Sequence, residues 1–85
     1  MQKKSIFEIL EFNNYYKCYT AESCRKTGLP MFGGNISKEE YYDKYKDKFL
    51  SKTRCKEIKK PVYEGEEPVA FYRMLNGYIP LYLRG

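Results

Sequence analysis

Three cysteines and no histidine limit the chemistry open to this chain of 85 residues. Cys18 and Cys24 have five residues between them and Cys55 is remote, whereas zinc sites take four ligands, usually in close pairs. A cysteine nucleophile would also lack the imidazole that commonly activates it. Neighbouring carboxylates such as Glu39-Glu40 and Glu66-Glu67 point apart in a regular element, so they cannot flank one substrate bond. Gly33-Gly34 is not followed by the Lys and Ser or Thr of a phosphate loop. The residues therefore predict no metal, no cofactor and no catalytic group, and the thiols read as free and buried.

Cations and tyrosines remain as the groups that could bind something. Sixteen Lys and Arg against eleven Asp and Glu give a net charge of +5, which favours anionic partners without requiring one. Most of this charge is mixed along the chain, as on a solvated face, but Arg25 and Lys26 form one basic cluster and residues 52–60 form another. Within the second, Lys52, Lys56, Lys59 and Lys60 are candidates for contact with phosphate or an acidic partner. Ten tyrosines and no tryptophan imply a thin core built partly from tyrosine, its hydroxyls led out to water.

These groups must be positioned by short elements. Residues 20–34 and 51–65 are near copies offset by 31: Thr20 matches Ser51, Cys24 matches Cys55, Arg25 matches Lys56, Pro30 matches Pro61 and Gly34 matches Gly65. Each copy predicts a hydroxyl-capped basic helix with an inward cysteine, ended before proline and followed by an apolar pair and a glycine turn. The helices should cover about residues 21–27 and a stretch from Ser51 or Thr53 to about Lys59. Ser5 with Glu8, and Ser37 with Glu40, are capping boxes; the first opens a short helix ending near Asn13-Asn14. The second opens the longest helix, residues 38–50, with Tyr41 or Tyr42, Tyr45 and Phe49 on its inner stripe.

The C-terminal segment reads as a β-hairpin about Asn76-Gly77, with Met74 opposite Ile79, Tyr72 opposite Leu81 and Ala70 opposite Leu83 on the core face. Pro80 lacks an N–H, which makes the last strand an edge strand. The other face would carry Phe71, Arg73, Leu75, Tyr78, Tyr82 and Arg84, a row that needs helices split to cover both faces, a homodimer or a partner. Phe71, Arg73, Tyr78, Tyr82 and Arg84 are thus the candidate partner-binding residues, because Tyr and Arg are enriched among interface hot spots. The expected fold is α+β in one small domain: three or four short helices on a hairpin, or on a three-stranded sheet if residues 15–20 add a strand.

The segment TAESCRKTGLP resembles the first helix and turn of a helix-turn-helix protein. A recognition helix should begin within three or four residues, yet Met31-Phe32-Gly33-Gly34 stands there, and in the second copy Lys59 replaces the glycine. In size and composition the chain is similar to small proteins of phages and mobile elements, anti-CRISPR inhibitors among them. That similarity implies a non-enzymatic protein that docks on and inhibits a nucleic-acid-handling protein complex of a host. Two alternatives are direct, largely sequence-independent DNA or RNA binding by the cations with stacking on Tyr78 and Tyr82, and a structural homodimer. No apolar stretch approaches the roughly 20 residues of a membrane span, and the expected location is cytoplasmic.

Overall fold

The computed structural model describes residues 6–84, and β6 (Gly77–Leu83) is the strand on which the rest is assembled. One edge of β6 pairs antiparallel with β5 (Ala70–Met74). The other edge takes two short strands in succession, β2 (Cys18–Tyr19) at Tyr78 and β4 (Phe49–Leu50) at Tyr82 and Leu83. Outside them, β1 (Phe12–Asn13) pairs with β2, and β3 (Met31–Phe32) runs parallel to β5. The fold is a mixed α+β structure with four short helices and a six-stranded open sheet, broader than the hairpin or three-stranded sheet expected.

Pro80 explains why the outer edge of β6 is shared. Phe71 donates its backbone N–H to the Pro30 carbonyl at 2.9 Å, so its hydrogen-bonding groups turn towards β3. Pro80, opposite Phe71, therefore has its donorless nitrogen directed away from β5. On that same edge β2 has stopped at Tyr78 and β4 begins at Tyr82, so proline falls in the break between them. The expectation of an edge strand is corrected: β6 is central, and a proline is accommodated there because no partner strand passes it.

The hairpin register also differs from expectation. Ala70 faces Leu81, Tyr72 faces Ile79 and Met74 faces Gly77, leaving Leu75-Asn76 as the two-residue connection. The shift of two preserves which side chains share a face. Gly77 lies in the strand because β2 crosses close by: a Cβ there would stand 2.5 Å from Cys18 Sγ and 2.6 Å from the Tyr19 carbonyl oxygen. The Asn-Gly pair signals a turn, but its glycine serves the close approach.

Residues 31 apart share local structure. α2 (Ala21–Thr27) and α4 (Lys52–Glu57) are capped by Thr20 and Ser51, whose hydroxyls accept from the Ser23 and Arg54 N–H groups, each at 3.3 Å. Gly28 and Lys59 both turn left-handed, at φ 76° and 62°, and donate to the Arg25 and Lys56 carbonyls. Each helix follows a strand paired to β6, and each places a fully buried cysteine, Cys24 or Cys55, over the same sheet face. Cys24 packs with Met31, Phe71 and Tyr78, and Cys55 with Leu50 and Tyr82. The units diverge after the helix: Met31–Phe32 forms β3, while Tyr63 is exposed.

The other sheet face is covered by α3 (Lys38–Glu40) and a widened π-helical turn, Tyr41–Tyr45. Phe32, Ala70 and Leu81 are buried there beneath Tyr41, Tyr45 and Phe49. The helix expected over residues 38–50 ends early, because pairing Phe49 and Leu50 with β6 buries Leu50 and supplies backbone partners that a continuing helix could not place there. The first helix is also shorter than expected: α1 spans Ile6–Ile9, and β1 follows it. Its capping residue Ser5 lies outside the described residues.

Two substitutions test this backbone. Lys59→Gly removes a left-handed conformation that costs an L-residue roughly 1–2 kcal/mol, offset in part by the freedom glycine gains when unfolded. A net stabilisation of about 1 kcal/mol is expected in urea denaturation. Gly77→Ala should destabilise by about 1–3 kcal/mol, since the new methyl must displace Cys18 or the β2 backbone.

Candidate functional site

The hairpin face carrying Phe71, Tyr78 and Tyr82 lies inside the molecule. Phe71 is 0% exposed and the two tyrosines 6% each, because α2 and α4 both settle on this face. Of the readings of this face, cover by helices holds, and Phe71, Tyr78 and Tyr82 as partner-binding groups are corrected: those three side chains serve the core. The cause is tertiary, since the hairpin sequence is apolar on both faces and could have opened either side to water.

Arg84 is equally committed. Its guanidinium forms a fork with Glu66, both bonds at 2.7 Å, and also donates to the carbonyls of Lys60 at 2.8 Å and Leu83 at 2.7 Å. Only about a tenth of either charged side chain remains exposed. The fork ties the loop after α4 to the end of β6, and holds the Glu66 carboxyl below the ordinary carboxylate range. Glu66 therefore anchors the loop between α4 and β5.

The other candidates do reach the surface. Arg73 and Arg25 line one depression beside the β5–β6 connection, brought together from β5 and α2. Lys26 is exposed and lies 3.8 Å from Glu22. Lys52, Lys56, Lys59 and Lys60 are exposed on α4 and the residues after it, and α4 lies over the same sheet face as α2.

The surface missed in the sequence is the uncovered part of the opposite face. A groove of about 430 Å³ runs between the π-helical turn and the sheet, with Tyr41, Tyr42, Tyr72, Met74 and Ile79 along it and Arg54 and Lys46 at its margin. Tyr42 and Tyr72 share a hydroxyl hydrogen bond of 3.0 Å, and the Lys38 ammonium sits 4.7 Å from the centre of the Tyr72 ring. Burial, and then the bond to Tyr42, raise the Tyr72 phenol to about 12, so it remains neutral at physiological pH. The groove continues to Leu75, which is 94% exposed at the hairpin tip, next to half-exposed Met74. The signal available in the sequence was the pair Tyr41-Tyr42: only one of two adjacent residues can turn fully inward on that helical stripe, which leaves the other outside.

The thiols are sealed. All three are free and buried, and burial raises Cys24 to about 12 and Cys55 above its usual value, so both stay protonated. Among the described residues no group of three or more His, Cys, Asp or Glu is placed to hold a metal ion, and no helix is long and apolar enough to cross a membrane. Compared with protein-family models, curated proteins and solved structures, the chain matches none.

The Glu66–Arg84 fork makes a pH prediction. A carboxyl with a lowered folded pKa contributes stability that is complete above its ordinary range and is lost as pH falls through the folded value. Glu66→Gln should therefore cost about 2 kcal/mol near neutrality, and the difference from the parent should shrink in acid. Denaturation midpoints compared at pH 7 and below pH 3 read this directly.

Proposed function

We propose that this protein is a non-catalytic binding protein that docks on another protein through the open face of its sheet. One observation carries the reading: Tyr42, Tyr72, Met74 and Leu75 form a continuous, partly exposed apolar and aromatic surface bordered by three cations, Lys38, Lys46 and Arg54, and one carboxylate, Asp47. Exposed apolar surface of this kind is costly in a small domain unless a partner covers it, and tyrosines beside cations suit a protein surface with acidic groups. The partner class proposed is a nucleic-acid-handling protein complex of a host cell, inhibited by occupation of its surface. Support for that class is the similarity in size and composition to phage and mobile-element proteins.

A second reading, direct binding of nucleic acid, is favoured by the concentration of charge in residues 52–60, which hold five cations and one carboxylate. Its affinity would fall steeply between about 50 and 200 mM salt.

Paired variants separate the two. Tyr42→Ala with Leu75→Asp should reduce partner binding by tenfold or more while leaving the melting temperature within a few degrees, and Lys56, Lys59 and Lys60 all changed to glutamine should leave it unchanged. The opposite pattern, with binding lost in the lysine variant and kept in the groove variant, would replace the first reading by the second.

A further inference from the structure

The break at Pro80 leaves a cleft outside the groove assigned to docking, and it shares Lys52 with the basic segment of the second reading. Its existence follows from the pairing: β2 leaves β6 at Tyr78, β4 joins at Tyr82, and proline cannot donate to a strand between them. The resulting cavity is about 340 Å³, at the lower end of the roughly 300–1,000 Å³ typical of small-ligand sites. Phe12 and Tyr19 form one wall, their rings edge to face at 5.3 Å, while Tyr82 and Pro80 lie at the base. Lys17 and Lys52 line it from opposite sides of the break, one from the β1–β2 turn and one from α4, and no lining residue is acidic.

We propose that this cleft binds a nucleoside phosphate, with the base against Phe12 and Tyr19 and the phosphate between Lys17 and Lys52. Each part of the ligand is required by a feature of the site. Two ammonium groups without a carboxylate among the lining residues call for an anion. An aromatic wall with half-exposed Phe12 calls for a flat π-surface, which nucleobases present and which stacks on aromatic side chains without regard to sequence. Lys17 is held at this position by local structure: its backbone N–H donates to the Asn13 carbonyl at 2.8 Å, and it turns left-handed at φ 57°. The turn is stiffened further by the Asn13 side chain, which accepts from the Tyr15 and Tyr16 N–H groups. A free nucleotide and one residue of a single strand present the same base and phosphate, and the titration below distinguishes them. The site stands apart from the protein-docking groove, which shares Ile79 and Ser51 with the cleft but none of the four residues assigned to base and phosphate.

The test is titration of the full chain with AMP, UMP, inorganic phosphate and a ten-nucleotide oligothymidylate at low salt, followed by calorimetry and by amide chemical shifts. Expected are shifts centred on residues 12–19, 52 and 79–82, and a loss of about tenfold in affinity for Lys17→Gln, Lys52→Gln and Phe12→Ala. Lys46→Gln, in the groove, should bind as the parent does. A mononucleotide that binds as well as the oligomer per site identifies a free nucleotide; an oligomer that binds far more tightly, with the same variant pattern, identifies a strand. The proposal is overturned if millimolar nucleotide produces no shifts in the cleft, if inorganic phosphate binds as tightly as AMP, or if Lys46→Gln weakens binding as much as Lys52→Gln. Phe12→Ala could loosen β1, so the two lysine variants, which alter exposed side chains, decide the matter independently.

Discussion

The structure depends on one strand being paired along both edges. β6 gives one edge to β5 and divides the other between β2 and β4, so segments from the beginning, middle and end of the chain meet on it. In a chain this short, burial alone yields a thin core, and a central strand that collects five of the other elements around it makes each buried side chain count twice, for the sheet and for the helix above it. Tyr78 and Tyr82 show this: each pairs through its backbone with a short strand and packs through its ring beneath a helix cysteine. Pro80 between them is the exception that the arrangement tolerates, because two strands of two residues each leave it unpartnered.

The two strand, cap and helix units that hang on this edge have the same local chemistry. Both use a hydroxyl N-cap, a cysteine that fills the space over a tyrosine, and a left-handed residue to end the helix. Cysteine suits that position, being small, apolar enough for a sealed site and neutral when its pKa is raised by burial. Because the units attach four residues apart on one strand, both helices lie on one sheet face. The opposite face receives only one helix and its π-helical extension, which covers Phe32, Ala70 and Leu81 but leaves Tyr72 and Met74 partly open. The asymmetry of the fold thus divides the surface into a basic helical side and an aromatic groove.

The two surfaces differ in what they could recognise. On the groove, apolar and aromatic area is large and charge lies at the margin, the arrangement in which desolvation of a few anchors supplies affinity. Around the break in the outer edge, two cations flank a short aromatic wall, which suits an anion that carries a flat ring. Arg84, read from the sequence as a surface group, belongs to neither, since its bonds with Glu66 and the neighbouring carbonyls consume its donors in holding the chain together.

Much of the local structure was legible in the sequence. Thr20 and Ser51 marked helix starts, Gly28 and the prolines marked their ends, and the alternation in residues 70–83 marked two strands with their faces correctly sorted. These signals are local: a cap, a turn or a side-chain period is decided by residues within a few positions of one another. Which face of the hairpin would be covered was not local. Both faces were apolar, and the choice depended on where α2 and α4 docked, which in turn depended on two-residue strands too short to leave a pattern. Phe49 and Leu50 illustrate the point, because their helical spacing was sound but pairing with β6 offered more burial. The sequence by itself determined the two capped helices, the two hairpin strands and the free, buried thiols; the tertiary structure decided the short strands and which aromatics became core and which became surface, because only the packing of distant segments determines what water can reach.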